Sequence, residues 1–403
     1  MPESHPRTLL CFMPTSLEHL RRAKAMQILF DRDEDGYFDH VYSFHFPTEK
    51  SQVVEVNERH TVYEVGTEKH LWMKSRGLNG LRKLLYLAEL YRQCAVLIQT
   101  HPISILKTHD PYFGGFVGWL LARRFRLPFC VSLRTPADLR YRLEGPTVLF
   151  PTIAGSRGLA KKLESFVLKR ADRVMARSQN LAEDAVQSGA RKDRIRVDRF
   201  GIETAAFLSP VDPDFVSAQG LSDRPWVVHV GRLNKENYID DVIEVAGLVI
   251  SKRKDVVFLI VGDGPERKTL EERVQSDGLE EYVRFLGVRP HAEVAEFRKN
   301  AAVNLGLMAG NSLAEAACAG RPVISYDVDW HGELIRNGET GFLCKEYDTE
   351  SVAEHVLELL DNPQLADRLG AACRQLALQN HRRETIVNNR RRFYDELLAS
   401  SVS

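Results

Sequence analysis

The sequence has no cysteine pair spaced for a metal finger. Its six cysteines stand far apart, at Cys11, Cys94, Cys130, Cys318, Cys344 and Cys373. A disulfide scaffold and a zinc module are not expected, and the thiols read as buried groups in a reducing compartment. No run of 18 apolar residues occurs, so no segment reads as membrane-spanning. Charges at Glu3, Arg7, Glu18, Arg21, Arg22 and Lys24 break up the first thirty residues, and no secretory leader is expected there. A cytoplasmic setting follows, with a peripheral place on the cytoplasmic face of a membrane left open. Net charge is also missing: 55 basic side chains balance 55 acidic ones, so nothing marks the chain as a nucleic-acid binder.

The balance hides an asymmetry. The first 200 residues carry 32 of the basic and 22 of the acidic side chains, leaving 23 and 33 for the rest. Much of the excess lies in a stretch from Arg123, Arg124 and Arg126 through Arg140 and Arg142 to Lys169 and Arg170. Leu149, Phe150, Leu159, Leu163 and Phe166 are interleaved with it. Such a pattern suits an anionic membrane surface, and equally a solvated helix face with its apolar stripe turned inward.

What is present is an ordinary globular composition. The 403 residues are 44% hydrophobic and 27% charged, enough for two or three domains. Short apolar runs alternate with helical patterns. In the first half strands are predicted at Thr8–Met13, Val41–Phe46, Thr61–Val65, Ser104–Thr108, Phe129–Leu133, Arg173–Ala176 and Arg194–Val197. Helical patterns separate most of them, at Leu17–Phe30, Leu81–Leu97, Gly115–Arg126, Gly158–Ala171 and Leu181–Ser188. The stretch Gly201–Ser222, with Pro210 and Pro213, is the best linker candidate. Five more strands follow, at Trp226–Val230, Val256–Val261, Val283–Leu286, Ala302–Leu307 and Pro322–Tyr326. Strands separated by helices imply parallel sheets covered on both faces, hence an α/β chain with two doubly wound, Rossmann-like domains. Ligands of such sheets bind at the C-terminal strand ends, and the site is expected in a cleft between the two domains.

Four segments stand at those ends in the second domain. Gly231–Glu236 carries Arg232 and Lys235. Gly262-Asp263-Gly264-Pro265 has the composition of a turn, with Pro265 suited to a first helical position. Gly310, Asn311 and Ser312 open a helix, with Ser312 and Glu315 spaced as a capping box. Asp327–Glu333 is dense in polar and aromatic groups, including Trp330 and His331. Taken singly, each is a turn, a cap, a solvated charge or a plug of the sheet edge. Together they bring guanidinium, ammonium and free backbone N–H groups to one sheet edge, which suits a diphosphate. An acid one turn into the helix suits ribose hydroxyls.

The segments VVHVGRLNKEN, FLIVGDGPERKTLEE, VRFLGVRPHAEVAEF, SLAEAACAGRPVISYDV and GELIRNGETGFL resemble the donor-binding domain of the retaining glycosyltransferases of family four. Those enzymes have the GT-B architecture. ILKTHDPYFGGFVGWLLARR and LESFVLKRADRVMARSQNLAEDAVQSGA resemble the first half of the same family more loosely. The resemblance implies an acceptor-side domain over 1–205, a donor domain over 206–380, and a final helix over 381–403 that packs back on the first. It implies that Arg232 binds the donor diphosphate and that Glu315 binds the ribose. Gly310, Asn311 and Ser312 line phosphate and sugar through backbone amides, and the stretch from Arg284 to Val288 borders the base. Glu333 and Asp263 match acids of family motifs, and Gly262 belongs to the same turn as Asp263. His331 joins this donor-side set, with Lys235 as the second diphosphate cation.

The chain departs from the family where Leu307 replaces the first acid of Glu-x7-Glu and Asn237 replaces the diphosphate lysine. Arg134 stands where many members carry an acceptor-side histidine. His109, Asp110 and Arg134, at first-domain strand ends, are the candidates for acceptor-side chemistry. The implied activity is transfer of a sugar from a UDP- or GDP-sugar to a glycan, lipid-linked or small-molecule acceptor. Retention is expected, with no metal and no other cofactor. A non-catalytic GT-B scaffold or partner subunit of another glycosyltransferase is the alternative, and a nucleotide-sugar epimerase is a third. Asp31-Arg-Asp33-Glu-Asp35-Gly36 begins like a calcium loop but has Tyr42 where a bidentate acid is required, so a solvated acidic turn is expected instead.

Overall fold

The computed structural model describes residues 6–400 apart from 23–25, 27–28, 30–32, 69–78, 135–155, 221–223 and 309. The expected helix beyond Arg22, the start of the acidic loop at Asp31, and Arg140, Arg142, Leu149 and Phe150 of the basic stretch all fall wholly or partly outside the described residues. The chain divides into two compact units. One comprises Met1–Asp198 with Val387–Ser403, and the other Arg199–Ile386.

The first unit is built on eight strands: β1 (Thr8–Met13), β2 (His40–Thr48), β3 (Gln52–Asn57), β4 (His60–Gly66), β5 (Ile105–Thr108), β6 (Phe129–Leu133), β7 (Arg173–Ala176) and β8 (Ile195–Val197). Their order across the sheet is β3-β4-β2-β1-β5-β6-β7-β8. All pairs are parallel except β3 with β4, so the sheet is mixed rather than purely parallel. The hairpin strand β3 escaped the sequence reading because it is an edge strand with mostly exposed side chains and no apolar run.

Side chains alternate across this sheet as strand geometry requires. Leu10, Phe12, Leu106, Phe129 and Val131 face one core, with Tyr86, Leu90 and Leu121 among the helical residues buried there. Leu9, Cys11, Ile105, Cys130 and Met175 face another, where the helix Arg383–Ala399 supplies Phe393, Tyr394 and Leu397. All six cysteines are buried free thiols.

That last helix is clamped by charge as well as by apolar packing. Arg390 is surrounded by protein and binds Asp198 through Nε and Glu34 through a terminal nitrogen at 3.2 Å. Burial works against its charge, but the two carboxylates outweigh it and hold the guanidinium protonated. Arg391 adds a hydrogen bond to the Glu34 carbonyl at 2.7 Å. Asp35 and Gly36 of the acidic turn are exposed as its composition suggested, but Glu34 beside them is only 7% exposed. Its charge faces a cation 356 positions along the chain, beyond what local spacing can reveal. Beneath the same helix the buried Lys107 ammonium donates to the Tyr394 hydroxyl at 2.6 Å, and burial lowers its pKa.

The second unit has six strands: β9 (Trp226–Val230), β10 (Val257–Val261), β11 (Val283–Gly287), β12 (Val303–Leu305), β13 (Val323–Tyr326) and β14 (Phe342–Cys344). All pair in parallel, in the order β11-β10-β9-β12-β13-β14. Strand order reverses between β9 and β12, the topological switch of a doubly wound sheet. The three-residue β14 was too short to read from periodicity. The linker candidate is in fact part of this unit: Phe207 of the short helix Ala205–Leu208 is fully buried against Leu313, Ala317 and Ala295.

Asp110 illustrates how the first sheet launches its helices. It is 4% exposed, and its Oδ1 accepts from the amides of Tyr112 at 2.9 Å and Gly114 at 3.2 Å, so it caps the helix Phe113–Phe125. Gly114 leaves the room for it: a Cβ there would lie 2.2 Å from Asp110 Oδ2. Burial raises the carboxyl pKa to about 6, above the 3.8 of an unstrained aspartate. The folded chain therefore binds this proton more tightly than the unfolded one. That contribution is full below pH 3.8 and is lost as pH rises through about 6. Asp110→Asn, which keeps the Oδ1 acceptor, is expected to remove this loss. Its stability relative to the parent should rise by about 1–3 kcal/mol between pH 4 and pH 7 in urea titrations. Arg390→Met should instead cost about 3–5 kcal/mol in the same assay at pH 7, because two buried carboxylates lose their cation.

Candidate functional site at the strand switch of the second unit

The loops after β9, β10 and β12 meet at the strand switch, where this topology is expected to bind its ligands, and glycine chemistry brings two of them together. Gly262 has φ of +139°, and a Cβ there would lie 1.8 Å from the Gly231 carbonyl oxygen. At Gly264 the corresponding approach to the Leu233 carbonyl oxygen is 2.2 Å. Only glycine permits this contact, which hydrogen bonds then stitch: Gly231 N–H to the Val261 carbonyl, Leu233 N–H to the Asp263 carbonyl, and Glu266 N–H to the Leu233 carbonyl. Asp263 closes the turn by accepting from the Gly264 amide at 2.8 Å. Gly262 and Asp263 thus build the crevice wall.

Arg232 and Lys235 are exposed on the loop after β9, and neither head group is paired with a described residue. Asn237, which supplies no charge, braces the same loop by donating to the Arg232 carbonyl at 2.8 Å. Opposite them, after β12, Gly310 precedes the helix Asn311–Cys318. The capping-box expectation fails here. The helix already starts at Asn311, so Ser312 lies inside it, and its hydroxyl donates instead to the Val230 carbonyl at the end of β9, at 2.6 Å. The same oxygen accepts from Arg298 at 2.6 Å. Glu315 is partly buried and lies 3.5 Å from His291, whose pKa it raises by hydrogen bonding. Leu307 is fully buried in the core.

Other expected members are engaged with neighbours of their own. Arg284 sits second in β11, not at its C-terminal end, and its guanidinium reaches the Gln219 carbonyl at 3.4 Å. The exposed Val288 is the residue just beyond that strand. His331 has no exposed surface; its Nδ1 meets the Ser325 hydroxyl at 2.6 Å and it props the turn after β13. Glu333 is ion-paired with Arg199 at 2.9 Å. Trp330 packs between Phe200 and His381, so the aromatic cluster is a buried plug. Sequence reading missed Arg298, because a charged residue inside an amphipathic helix reads as solvated until its depth is known, and it missed the exposed His291, because its partner Glu315 lies on another helix.

In the first unit, Arg134 donates through Nε to His109 Nδ1 at 3.3 Å, which leaves the ring proton on Nε2. Arg134 also lies 4.0 Å from Asp198, the residue clamped by Arg390. His109 and Arg134 are brought together at the ends of β5 and β6, while the neighbouring Asp110 is occupied as a helix cap. Among the described residues no three His, Cys, Asp or Glu side chains are grouped so as to hold a metal ion, and no helix is long and apolar enough to cross a membrane.

Two family models match the chain. Residues 16–201 match the glycosyl transferase 4-like domain, and residues 213–376 match the glycosyl transferases group 1. Alpha-D-kanosaminyltransferase of Streptomyces kanamyceticus is 28% identical over 270 residues, covering 64% of this chain and 67% of that one. N-acetyl-alpha-D-glucosaminyl L-malate synthase of Bacillus anthracis is 27% identical, over 61% of this chain and 65% of its own length. A putative glycosyltransferase of Bacillus subtilis is 24% identical over 78% and 88%. Among solved structures, sucrose-phosphate synthase from Thermosynechococcus elongatus aligns with a TM-score of 0.72 at 20% identity, over 98% of this chain and all of that one. HepE of Anabaena, solved with UDP, aligns with a TM-score of 0.70 at 18% identity, over 98% and 100%. These likenesses show the fold, the two-domain Rossmann-like GT-B architecture. With the two models accounting for both halves, the chain belongs to the group 1 glycosyltransferases of family four, as a divergent member.

Proposed function

We propose that the chain transfers a sugar from a UDP- or GDP-sugar to a glycan, lipid-linked or small-molecule acceptor, with retention of anomeric configuration and without a metal. The observation that carries this reading is the reversal of strand order between β9 and β12. There the exposed Arg232 and Lys235 flank the start of the helix Asn311–Cys318, whose first amides have no partner within the helix. Cations and helix-start amides of this kind stabilise the negative charge that a leaving nucleoside diphosphate develops. Glu315 is the ribose acceptor in this reading, and the base lies toward Val288. The second unit is then the donor side and the first the acceptor side, with His109, oriented by Arg134, beside the acceptor hydroxyl. Holding that hydroxyl against the anomeric carbon supplies much of the remaining acceleration.

A specific observation also favours a membrane-peripheral place for the chain. A groove of about 810 Å³ between the helices Asn79–Thr100 and Phe113–Phe125 is lined by Leu87, Tyr91, Phe116 and Leu120 together with Arg123 and Arg124. Apolar lining beside guanidinium groups suits an anionic lipid surface.

Thermal-shift measurements against UDP, GDP, ADP, TDP and their sugar conjugates test the donor reading. One base should stabilise the fold, by about 2.7 kcal/mol at a hundredfold excess over Kd, and Arg232→Ala should weaken that ligand at least tenfold. No shift with any nucleotide at millimolar concentration would favour the non-catalytic partner reading. For the membrane, replacing Arg123 and Arg124 by serine should reduce sedimentation with phosphatidylglycerol vesicles while leaving nucleotide binding intact. Retention unaffected by the substitutions would remove the membrane reading.

A further inference from the structure

Arg298 is a guanidinium with almost no access to solvent. It lies in the helix His291–Asn300, is 1% exposed, and is the largest of the fully buried side chains in the described chain. Removing such a group from water is costly unless charge and hydrogen bonds compensate for it. The compensation here is incomplete. One terminal nitrogen donates to Ser312 Oγ at 2.6 Å, while the buried Nε has no hydrogen-bond partner. Glu315 is the acid that acts on it, and that carboxylate also serves His291 at 3.5 Å. Burial lowers the guanidinium pKa to about 10, which still leaves it charged at neutral pH, and its field helps to lower the pKa of the buried His229 to about 4.

Its position gives this charge a use. Ser312, held by Arg298, donates its own hydrogen bond to the Val230 carbonyl and so locks the second residue of the helix Asn311–Cys318 to the end of β9. This is the crevice where Arg232 and Lys235 stand on the surface. Resting on the donor-site reading above, we propose that Arg298 is a positioning residue for the diphosphate. It fixes the Gly310–Ser312 turn through Ser312 and places a positive charge beneath it, so that an incoming dianion adds to the counter-charge that Glu315 divides between Arg298 and His291. A fold prop would contribute equally to every ligand of the crevice. A buried charge beneath the phosphates discriminates by phosphate content.

The experiment compares UDP with uridine, and GDP with guanosine, by calorimetry and NMR titration on the full chain and on Arg298→Met, Arg298→Lys and Ser312→Ala. Methionine fills a similar apolar volume without charge. The expected result is at least a tenfold loss of nucleoside diphosphate affinity in Arg298→Met with nucleoside affinity unchanged, and recovery of most of that loss in Arg298→Lys. Ser312→Ala, which keeps the charge but cuts the relay, should show a smaller loss with the same selectivity. A parallel fall in diphosphate and nucleoside affinity, or no fall in either, would overturn the inference. If Arg298→Met does not fold, an unchanged ratio of diphosphate to nucleoside affinity in Ser312→Ala overturns it. Failure of the parent chain to bind any nucleoside diphosphate would overturn the donor-site reading itself, and this inference with it.

Discussion

The hydrogen bond from the Ser312 hydroxyl to the Val230 carbonyl ties the helix after β12 to the end of β9, and the chemistry of the second unit depends on that tie. At a strand switch the two neighbouring crossovers leave on opposite faces of the sheet, so the loops diverge and leave a gap. A gap alone binds nothing. By joining helix and strand across it, Ser312 gives the helix-start amides a fixed aim, and Gly262 and Gly264 pack the β10 loop against the β9 loop to complete the wall. The exposed cations of the β9 loop then face a preorganised surface, which is what electrostatic stabilisation of a leaving group requires.

Much of this was legible before any coordinates. Parallel strands separated by helices announce themselves through apolar runs of a length that only buried strands need, and twelve of the fourteen strands or their cores follow that pattern, as at Thr8–Met13 and Trp226–Val230. Two strands were missed for physical reasons: Gln52–Asn57 is an edge with exposed faces, and Phe342–Cys344 is too short to show a period. The glycine turn at Gly262 and the helix start at Gly310 were found because backbone geometry restricts residue choice there. Contacts between distant elements were not found. Ser312 reads as a cap by spacing and serves as a strand tie, and Glu34 reads as solvated and is clamped by Arg390. Depth decides these roles, and depth is set by packing that no local window contains.

The departures from the family pattern sort themselves by environment. Leu307 is fully buried, so its side chain belongs to the core and contributes no carboxylate to the crevice. Asn237 holds the loop that carries Arg232, a mechanical task for which an amide suffices. His331, Trp330 and Glu333, dense enough to suggest ligand chemistry, are engaged with Ser325, Phe200 and Arg199 and keep the chain after β13 in place. A polar cluster at a strand end is thus ambiguous until its hydrogen bonds are counted. The same counting that removes His331 from the surface brings Arg298 and His291 into view.

The two-part composition of the first unit has a consequence for biosynthesis. Its sheet is encoded before residue 199, yet the helix that covers one face is encoded after residue 386, with the whole second unit in between. During translation the face bearing Leu9, Cys11, Ile105 and Met175 emerges from the ribosome long before Phe393, Tyr394 and Leu397 exist to cover it. The second unit, continuous in sequence, can fold to completion first. An apolar sheet face with a buried lysine at its centre must therefore persist uncovered through nearly half of synthesis, and Lys107, charged while solvated, keeps that nascent surface from being uniformly sticky until the last turn of chain arrives.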